Sequence, residues 1–317
     1  MTPLTDEMVA VGDGHEICVR SFGAPGRVPV VFLHGGPGSG VQESHLSMFD
    51  LDTCHLVAFD QRGAGLSRPA RSREANTTQH LIADIELLRE RFGFPAWIVV
   101  GGSWGATLAL AHAEAHPDRV LGLVLRATFL GLRSELDWAF GTGLERVYPG
   151  LHGDFLGLLP EDERADPLPA YWRRILDPDP AVHLPHARAW HDTERILSQI
   201  EPPTGRLDLP AIRAATAPAP ASPYMEAHYF SHDCFLAVTP LLAGATRLAG
   251  IPGAIVQGRY DLLCPPLSAF ALAGAWPDAR MHMVDAAGHA LDHRGIRAAV
   301  AEEIARMIAR VTSGASG

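Results

Sequence analysis

The chain has 317 residues, 47% of them hydrophobic and 20% charged, with a formal charge of −10; it is long enough for one large domain or a domain carrying an insertion. All 26 of its Lys/Arg positions are arginine, which excludes Schiff-base chemistry, a pyridoxal-phosphate lysine and a phosphate-loop lysine. An acidic chain without a basic run suits neither nucleic acid nor an anionic membrane. Four cysteines, Cys18, Cys54, Cys234 and Cys264, lie far apart with no C-x-x-C pair, so neither a metal site nor a disulfide framework is expected and the setting is a reducing cytosol. Residues 1–7 carry no cationic or apolar leader, and no apolar run reaches membrane-spanning length, so a cytoplasmic location is expected.

The first predicted element is a hairpin, in which Met8–Val11 and Ile17–Arg20 flank the turn Gly12-Asp13-Gly14. Short apolar runs suited to buried parallel strands follow at 28–33 and 55–59. Each leads into a loop of interest. His34-Gly35-Gly36-Pro37-Gly38 is dense in glycine, which lets backbone amides face a ligand, and His34 reads as structural. Asp60-Gln61-Arg62-Gly63-Ala64-Gly65-Leu66-Ser67 reads as a bracing loop with Arg62 in a salt bridge. Asn76-Thr77-Thr78 offers caps for a helix through Ile82, Ile85, Leu87 and Leu88.

The next strand, 96–100, runs into Gly101-Gly102-Ser103-Trp104-Gly105 and then a helix-prone stretch from Ala106. Strand, Gly-flanked serine and helix in that order describe a nucleophile elbow. After a strand at 121–125 the rhythm breaks. Residues 129–250 are rich in Pro, Ala and Arg, and are expected to form short helices interrupted by proline, with a flexible loop at 214–221. Strands return at 254–257 and 281–284, and a last helix runs through Ile296, Val300, Ile304 and Ile308, ahead of a tail, 312–317, expected to fray. Strands alternating with helices imply a mostly parallel sheet with right-handed crossovers. The expected organisation is a core of 1–128 with 251–317 and an inserted helical cap, 129–250.

A serine hydroxyl needs a base to take its proton and an acid to orient that base. In this kind of sheet the partners follow in the order Ser, Asp or Glu, His. Asp261 stands just past one late strand and His289 just past the next, where such sheets bind ligands. Ser103 is therefore the expected nucleophile, His289 the base and Asp261 its orienting acid. Asp285 is the competing acid, disfavoured for lying so near His289 in sequence. The expected oxyanion donors are the backbone N–H groups of Trp104 and Gly36, with Gly35 as the alternative.

His34-Gly35-Gly36-Pro37-Gly38, Asp60-Gln61-Arg62-Gly63 and Gly101-Gly102-Ser103-Trp104-Gly105 together resemble the proline iminopeptidase family of α/β-hydrolases, with Gly258-Arg259-Tyr260-Asp261, Cys264 and Gly288-His289 extending the likeness over nearly the whole chain. The resemblance implies an α/β-hydrolase fold with a cap, release of an N-terminal proline from small peptides, and no cofactor or metal. The implied partner is a small peptide or amide with a free N-terminal amine; nucleic acid and membrane are not expected, and oligomeric state is left open. By themselves Glu194 and Glu226 read as solvated helix residues; the resemblance makes them the pair that holds the substrate's amine, and matches Arg126 and Phe129 to residues lining a proline pocket. Thr193 and Ala139 stand where the family carries rings, which implies a wider pocket. An esterase or amidase acting on a small amine-bearing substrate is the alternative, and a non-enzymatic ligand-binding relative the third reading. Cys264 is expected to make activity sensitive to bulky thiol reagents.

Overall fold

The computed structural model describes residues 1–236 and 240–314. Eight strands form one sheet in the order β1-β2-β4-β3-β5-β6-β7-β8. They are β1 (Thr5–Gly12), β2 (His15–Gly23), β3 (Val28–Leu33), β4 (Cys54–Phe59), β5 (Trp97–Ser103), β6 (Val120–Thr128), β7 (Gly253–Gly258) and β8 (Ala279–Val284). The predicted hairpin is β1 against β2, antiparallel, with Met8 opposite Cys18 and Val9 opposite Ile17. β2 is also antiparallel to β4. From β4 to β8 every neighbouring pair is parallel. Parallel neighbours need crossovers, and the helices Thr78–Arg91, Trp104–Ala115 and Pro266–Ala275 supply three of them.

The apolar runs are buried on both faces because side chains alternate along a strand. Val31, Leu33 and Val99 enter one core with Leu81, Ile85 and Leu88 of the helix Thr78–Arg91. Val30, Phe32, Ile98 and Val100 enter the other with Ile296, Val300, Ile304 and Ile308 of the last helix, Ile296–Gly314. Fully burying each such Val, Leu or Ile contributes about 1.5–3 kcal/mol. The helix Thr78–Arg91 starts at the expected cap, where Thr77 Oγ1 accepts the His80 amide at 3.4 Å. The last helix continues through Thr312–Gly314, part of the tail expected to fray; residues 315–317 lie outside the described residues.

Between β6 and β7 the described residues form helices and loops only. Several prolines expected as interruptions instead open helices: Pro167 begins Pro167–Ile175 and Pro180 begins Pro180–Ser198. There the missing N–H is one that a helix leaves unpaired anyway. The loop expected to be flexible is fixed at two carbonyls, Ala217 O by Arg188 Nη2 at 2.5 Å and Ala219 O by Arg71 Nη2 at 2.8 Å.

The helix Ser222–Phe230 is moored to the segment that precedes Thr78–Arg91. His228 Nε2 donates to Asn76 O at 2.8 Å and Tyr229 Oη to Asn76 Oδ1 at 2.7 Å. The Tyr229 ring lies 4.6 Å from the Trp104 ring at 60°. Thr78 Oγ1 donates to Cys234 O at 2.6 Å.

Candidate active site

Ser103 ends β5 and precedes the helix Trp104–Ala115, with φ 57° and ψ −126°. That backbone region is sparsely populated for a residue with a Cβ, and such strain concentrates at functional turns. The surroundings account for the glycines. A Cβ on Gly101 would sit 2.2 Å from Gly105 O, and one on Gly105 would sit 2.1 Å from Leu33 O. The turn closes only because both atoms are missing.

Asp261 and His289 meet as the sequence predicts. His289 Nδ1 lies 2.9 Å from Asp261 Oδ2 and 3.1 Å from Oδ1. Asp261 is buried, and its Oδ1 also accepts the amides of Leu263 at 3.0 Å and Cys264 at 2.8 Å. Gln257 Nε2 donates to Oδ2 at 3.5 Å, and together these donors orient the carboxylate toward Nδ1 of His289, which lines the cavity. Asp285, the competing acid, is 79% exposed and paired with Arg259 at 2.5 Å. Ser103 lines the same cavity as His289. Among the described residues its Oγ has one hydrogen-bonding neighbour, Cys264 Sγ at 3.9 Å, and no hydrogen bond joins it to His289. Contacts of this kind commonly tighten only when substrate is bound.

Gly36 lines the cavity with φ 106°, a backbone only glycine adopts freely. Trp104 is the first residue of its helix, so its N–H is one of the unpaired donors of a helix start. His34 proves structural: it is buried, donates from Nδ1 to Gly35 O at 2.9 Å and accepts the Gln61 amide at Nε2 at 3.0 Å. Gln61 passes the brace on by accepting Trp104 Nε1 at 2.9 Å. Arg62 forms the expected salt bridge, bidentate to Asp84 at 2.7 and 2.8 Å.

Glu226 is buried and Glu194 half-buried, so neither is an ordinary exposed helix residue. They come from two helices between β6 and β7, Pro180–Ser198 and Ser222–Phe230, and line the cavity of Ser103. Glu226 is 2% exposed and accepts Trp190 Nε1 at 2.6 Å. The two carboxyls are close enough to shift each other's titration. Two carboxylates this close cannot both stay charged without a cation. Burial raises Glu226 to about 7, and burial plus its neighbour Glu226 raises Glu194 well above the carboxylate range. The shifts favour a proton held between the two carboxyls near neutrality.

Phe129 lines the apolar part of the cavity with Leu136, Ala139, Phe140 and Phe230, and its ring meets Phe230 edge-on at 5.7 Å. The cavity measures about 560 Å³. Of the two positions expected to widen the pocket, Ala139 lines it. Thr193 is fully buried with its hydroxyl on Ala189 O at 2.7 Å and is not part of the wall. Arg126 lines the cavity too, but its Nη1 donates to the backbone carbonyl of His289. A Cβ on Gly102 would lie 2.8 Å from Arg126 Nε, so the elbow's second glycine leaves room for this guanidinium. Burial lowers its pKa, opposed by Asp261 and Cys264.

The sequence reading missed Trp190 as a carboxylate donor and Gln257 as a brace. Gln257 Nε2 donates to Cys264 O at 2.9 Å while its Oε1 accepts the Thr128 amide at 3.1 Å. A glutamine closing the apolar run Ala254-Ile255-Val256-Gln257 was the available signal, since a buried polar side chain must find partners. Among the described residues no His, Cys, Asp and Glu cluster could hold a metal ion, and no helix is long and apolar enough to cross a membrane.

Comparison with known proteins follows this geometry. The family model for the alpha/beta hydrolase fold matches residues 28–291. The chain is 39% identical to the probable proline iminopeptidase of Leptolyngbya boryana, over 99% of this chain and 97% of that protein. It is 41% identical to the proline iminopeptidase of Arabidopsis thaliana, over 93% of this chain and 78% of that one. A crystal structure of a haloalkane dehalogenase loop variant from Bradyrhizobium elkanii superposes with a TM-score of 0.69 at 21% identity, covering 98% of both chains; that likeness is one of fold alone.

Proposed function

This chain belongs to the proline iminopeptidase family of α/β-hydrolases, and from that premise we propose that it is a serine aminopeptidase that releases an N-terminal proline from short peptides through an acyl-enzyme on Ser103. The observation that carries the reading is the carboxyl pair Glu194–Glu226 in one cavity with Ser103 and His289.

A free α-amine has a pKa of about 7.7–8.0 and arrives as a cation. It displaces the proton shared by Glu194 and Glu226, while the pyrrolidine ring packs on Phe129, Phe140 and Phe230. The scissile carbonyl then faces Ser103. His289 takes the Ser103 proton as Oγ attacks, with Asp261 facing the imidazolium that forms. The oxyanion meets the N–H groups of Trp104 and Gly36; one such donor typically contributes about 2.7–4 kcal/mol. His289 passes its proton to the leaving amine, the peptide bond breaks, and the acyl ester remains. Water, deprotonated by the same imidazole, attacks the ester and releases proline. Arg126 acts as a positioning residue by holding the carbonyl of His289, and its guanidinium also borders the pocket. A second reading, an esterase or amidase on another small amine-bearing substrate, is favoured by the space beside Ala139.

A panel of aminoacyl chromogenic amides, each free and N-acetylated, tests the assignment. Prolyl amide is expected to be the best substrate by about tenfold, and its acetylated form inert, because acetylation removes the cation that the carboxyl pair needs. Equal turnover of free and acetylated amides overturns it.

Cys264 supplies a further expectation. Its Sγ lies 3.9 Å from Ser103 Oγ, and burial raises the thiol well above its usual pKa. Since the thiolate is the reactive form, N-ethylmaleimide is expected to inactivate slowly, faster as pH rises, by crowding Ser103. The inactivation is lost in Cys264→Ser; its persistence there would assign the effect to another of the four buried cysteines.

A further inference from the structure

We propose that Arg297 and Arg195 form a carboxylate-binding rim on the leaving-group side of the cavity, so that the preferred substrates are short peptides whose departing part carries a carboxylate near the scissile bond. The proposal rests on the aminopeptidase reading and deepens it.

The cavity is polarised in charge. Its carboxyl pair, Glu194 and Glu226, comes from the two helices between β6 and β7, and Glu226 is 2% exposed. The leaving amine must depart where His289 can protonate it. The lining of the cavity includes, besides His289, Asp292 and Arg297 from the following stretch of chain and Arg195 and Ser198 from the helix Pro180–Ser198. The two stretches are joined by the Ala290 amide donating to Ser198 O at 3.0 Å. A departing peptide therefore passes between Arg195 and Arg297.

Arg297 is uncommitted among the described residues, and Arg195 is only loosely paired. Arg297 is exposed and has no ion pair or hydrogen bond among the described residues. It is the second residue of the helix Ile296–Gly314, where the helix dipole disfavours a cation. Nothing in the local structure rewards a positive charge there. Arg195 has one distant partner, Asp192 at 3.9 Å, and is 67% exposed. Asp292 lines the same rim and Asp192 is the loose partner of Arg195, so these two anions match the two cations in number, and Arg297 is the cation without an ion pair among the described residues. The other basic groups of this cavity add little charge outside its interior: burial and Arg126 lower His45 to about 3, and burial lowers His191. An unpaired guanidinium on a chain of charge −10 attracts an anion locally, and a guanidinium matches a carboxylate in geometry. A C-terminal α-carboxylate and an acidic side chain share that chemistry.

The test compares kcat/KM for Pro-Gly-Gly as the free acid, its C-terminal amide, and Pro-Asp-Gly-amide. The wild-type protein is expected to prefer the free acid over the amide by about fivefold, chiefly through KM. The preference shrinks in 1 M salt, where charges are screened within about 3 Å, and falls below about twofold in Arg195→Gln/Arg297→Gln. Rescue of the amide by Asp supports a rim that reads any nearby carboxylate; preference for the free acid alone supports recognition of the C-terminus. Equal turnover of acid and amide by the wild-type protein, or a preference that survives both salt and the double variant, overturns the proposal alone. Failure to hydrolyse prolyl p-nitroanilide, which has no carboxylate, overturns the parent reading and this one with it.

Discussion

Replacing Ser103 with alanine is expected to lower kcat on prolyl amides by about 10⁵-fold or more, the scale seen when the nucleophile of a serine hydrolase is removed. Alanine keeps the Cβ and so keeps the strained backbone at φ 57°; the glycine contacts that close the turn are untouched. Only the oxygen is lost. The fold should survive, with an unchanged melting temperature. Binding of proline or a non-hydrolysable prolyl analogue should persist, because the carboxyl pair and the aromatic pocket remain. Fluorophosphonate labelling should disappear. Activity within tenfold of the parent would remove Ser103 from the chemistry, and with it the acyl-enzyme.

The second large effect is expected at the carboxyl pair. Glu226→Gln should reduce kcat/KM for free-amine substrates by about 10²-fold or more, since the amine loses a buried carboxylate, while turnover of simple acetate esters should change little. Equal losses on both substrate types would remove the amine site. The pH dependence has a definite sign. Burial raises Glu226 to about 7, and burial and the neighbouring Glu226 raise Glu194 as well. A cationic amine needs the pair ionised, so kcat/KM should rise with pH through about 7 and fall again as the amine deprotonates near its own pKa of about 7.7–8.0. The pair titrates jointly, and Glu226→Gln should abolish the shape of the acid limb. Stability runs the other way. A carboxyl whose folded pKa lies above the unfolded value near about 4.3 stabilises fully below that value. That contribution is lost as pH rises through the folded pKa. Glutamine can still accept Trp190 Nε1 and carries no charge to bury, so the variant should melt at or above the parent's temperature at pH 8. A variant that is both inactive and much less stable there would point to lost structure.

Much of this was legible because it is local. The elbow depends on the order of strand, glycine, serine and helix within a few residues, and the close approaches at Gly101 and Gly105 show why no other residue fits. Asp261 and His289 were legible because both stand just past late strands, and Asp285 was excluded only by its exposure and its pairing with Arg259. The rest depended on distance in the chain. Glu194 and Glu226 look like ordinary helix residues, and their burial arises from two helices meeting around Trp190. Proline reads as interruption, yet Pro167 and Pro180 serve as first helical residues. Arg126 was matched to the pocket wall, but its bond to the His289 carbonyl spans 163 positions, beyond any local pattern. Thr193 was expected to widen the pocket, whereas its hydroxyl turns back onto its own helix.

The mooring of the helix Ser222–Phe230 sets a length. Trp104 adjoins Ser103, its ring rests on Tyr229 at 4.6 Å, and Tyr229 follows Glu226 by three residues, about 4.5 Å of helical rise. Asn76 pins that same turn from the other side. Glu226 and Ser103 are thus tied through one set of contacts, Tyr229 on Trp104 and on Asn76, and under the proposed assignment that fixes the spacing between the amine's anchor and the attacking oxygen. Under that assignment the enzyme trims peptides stepwise, one unit per cycle, and halts at the first residue the spacing rejects.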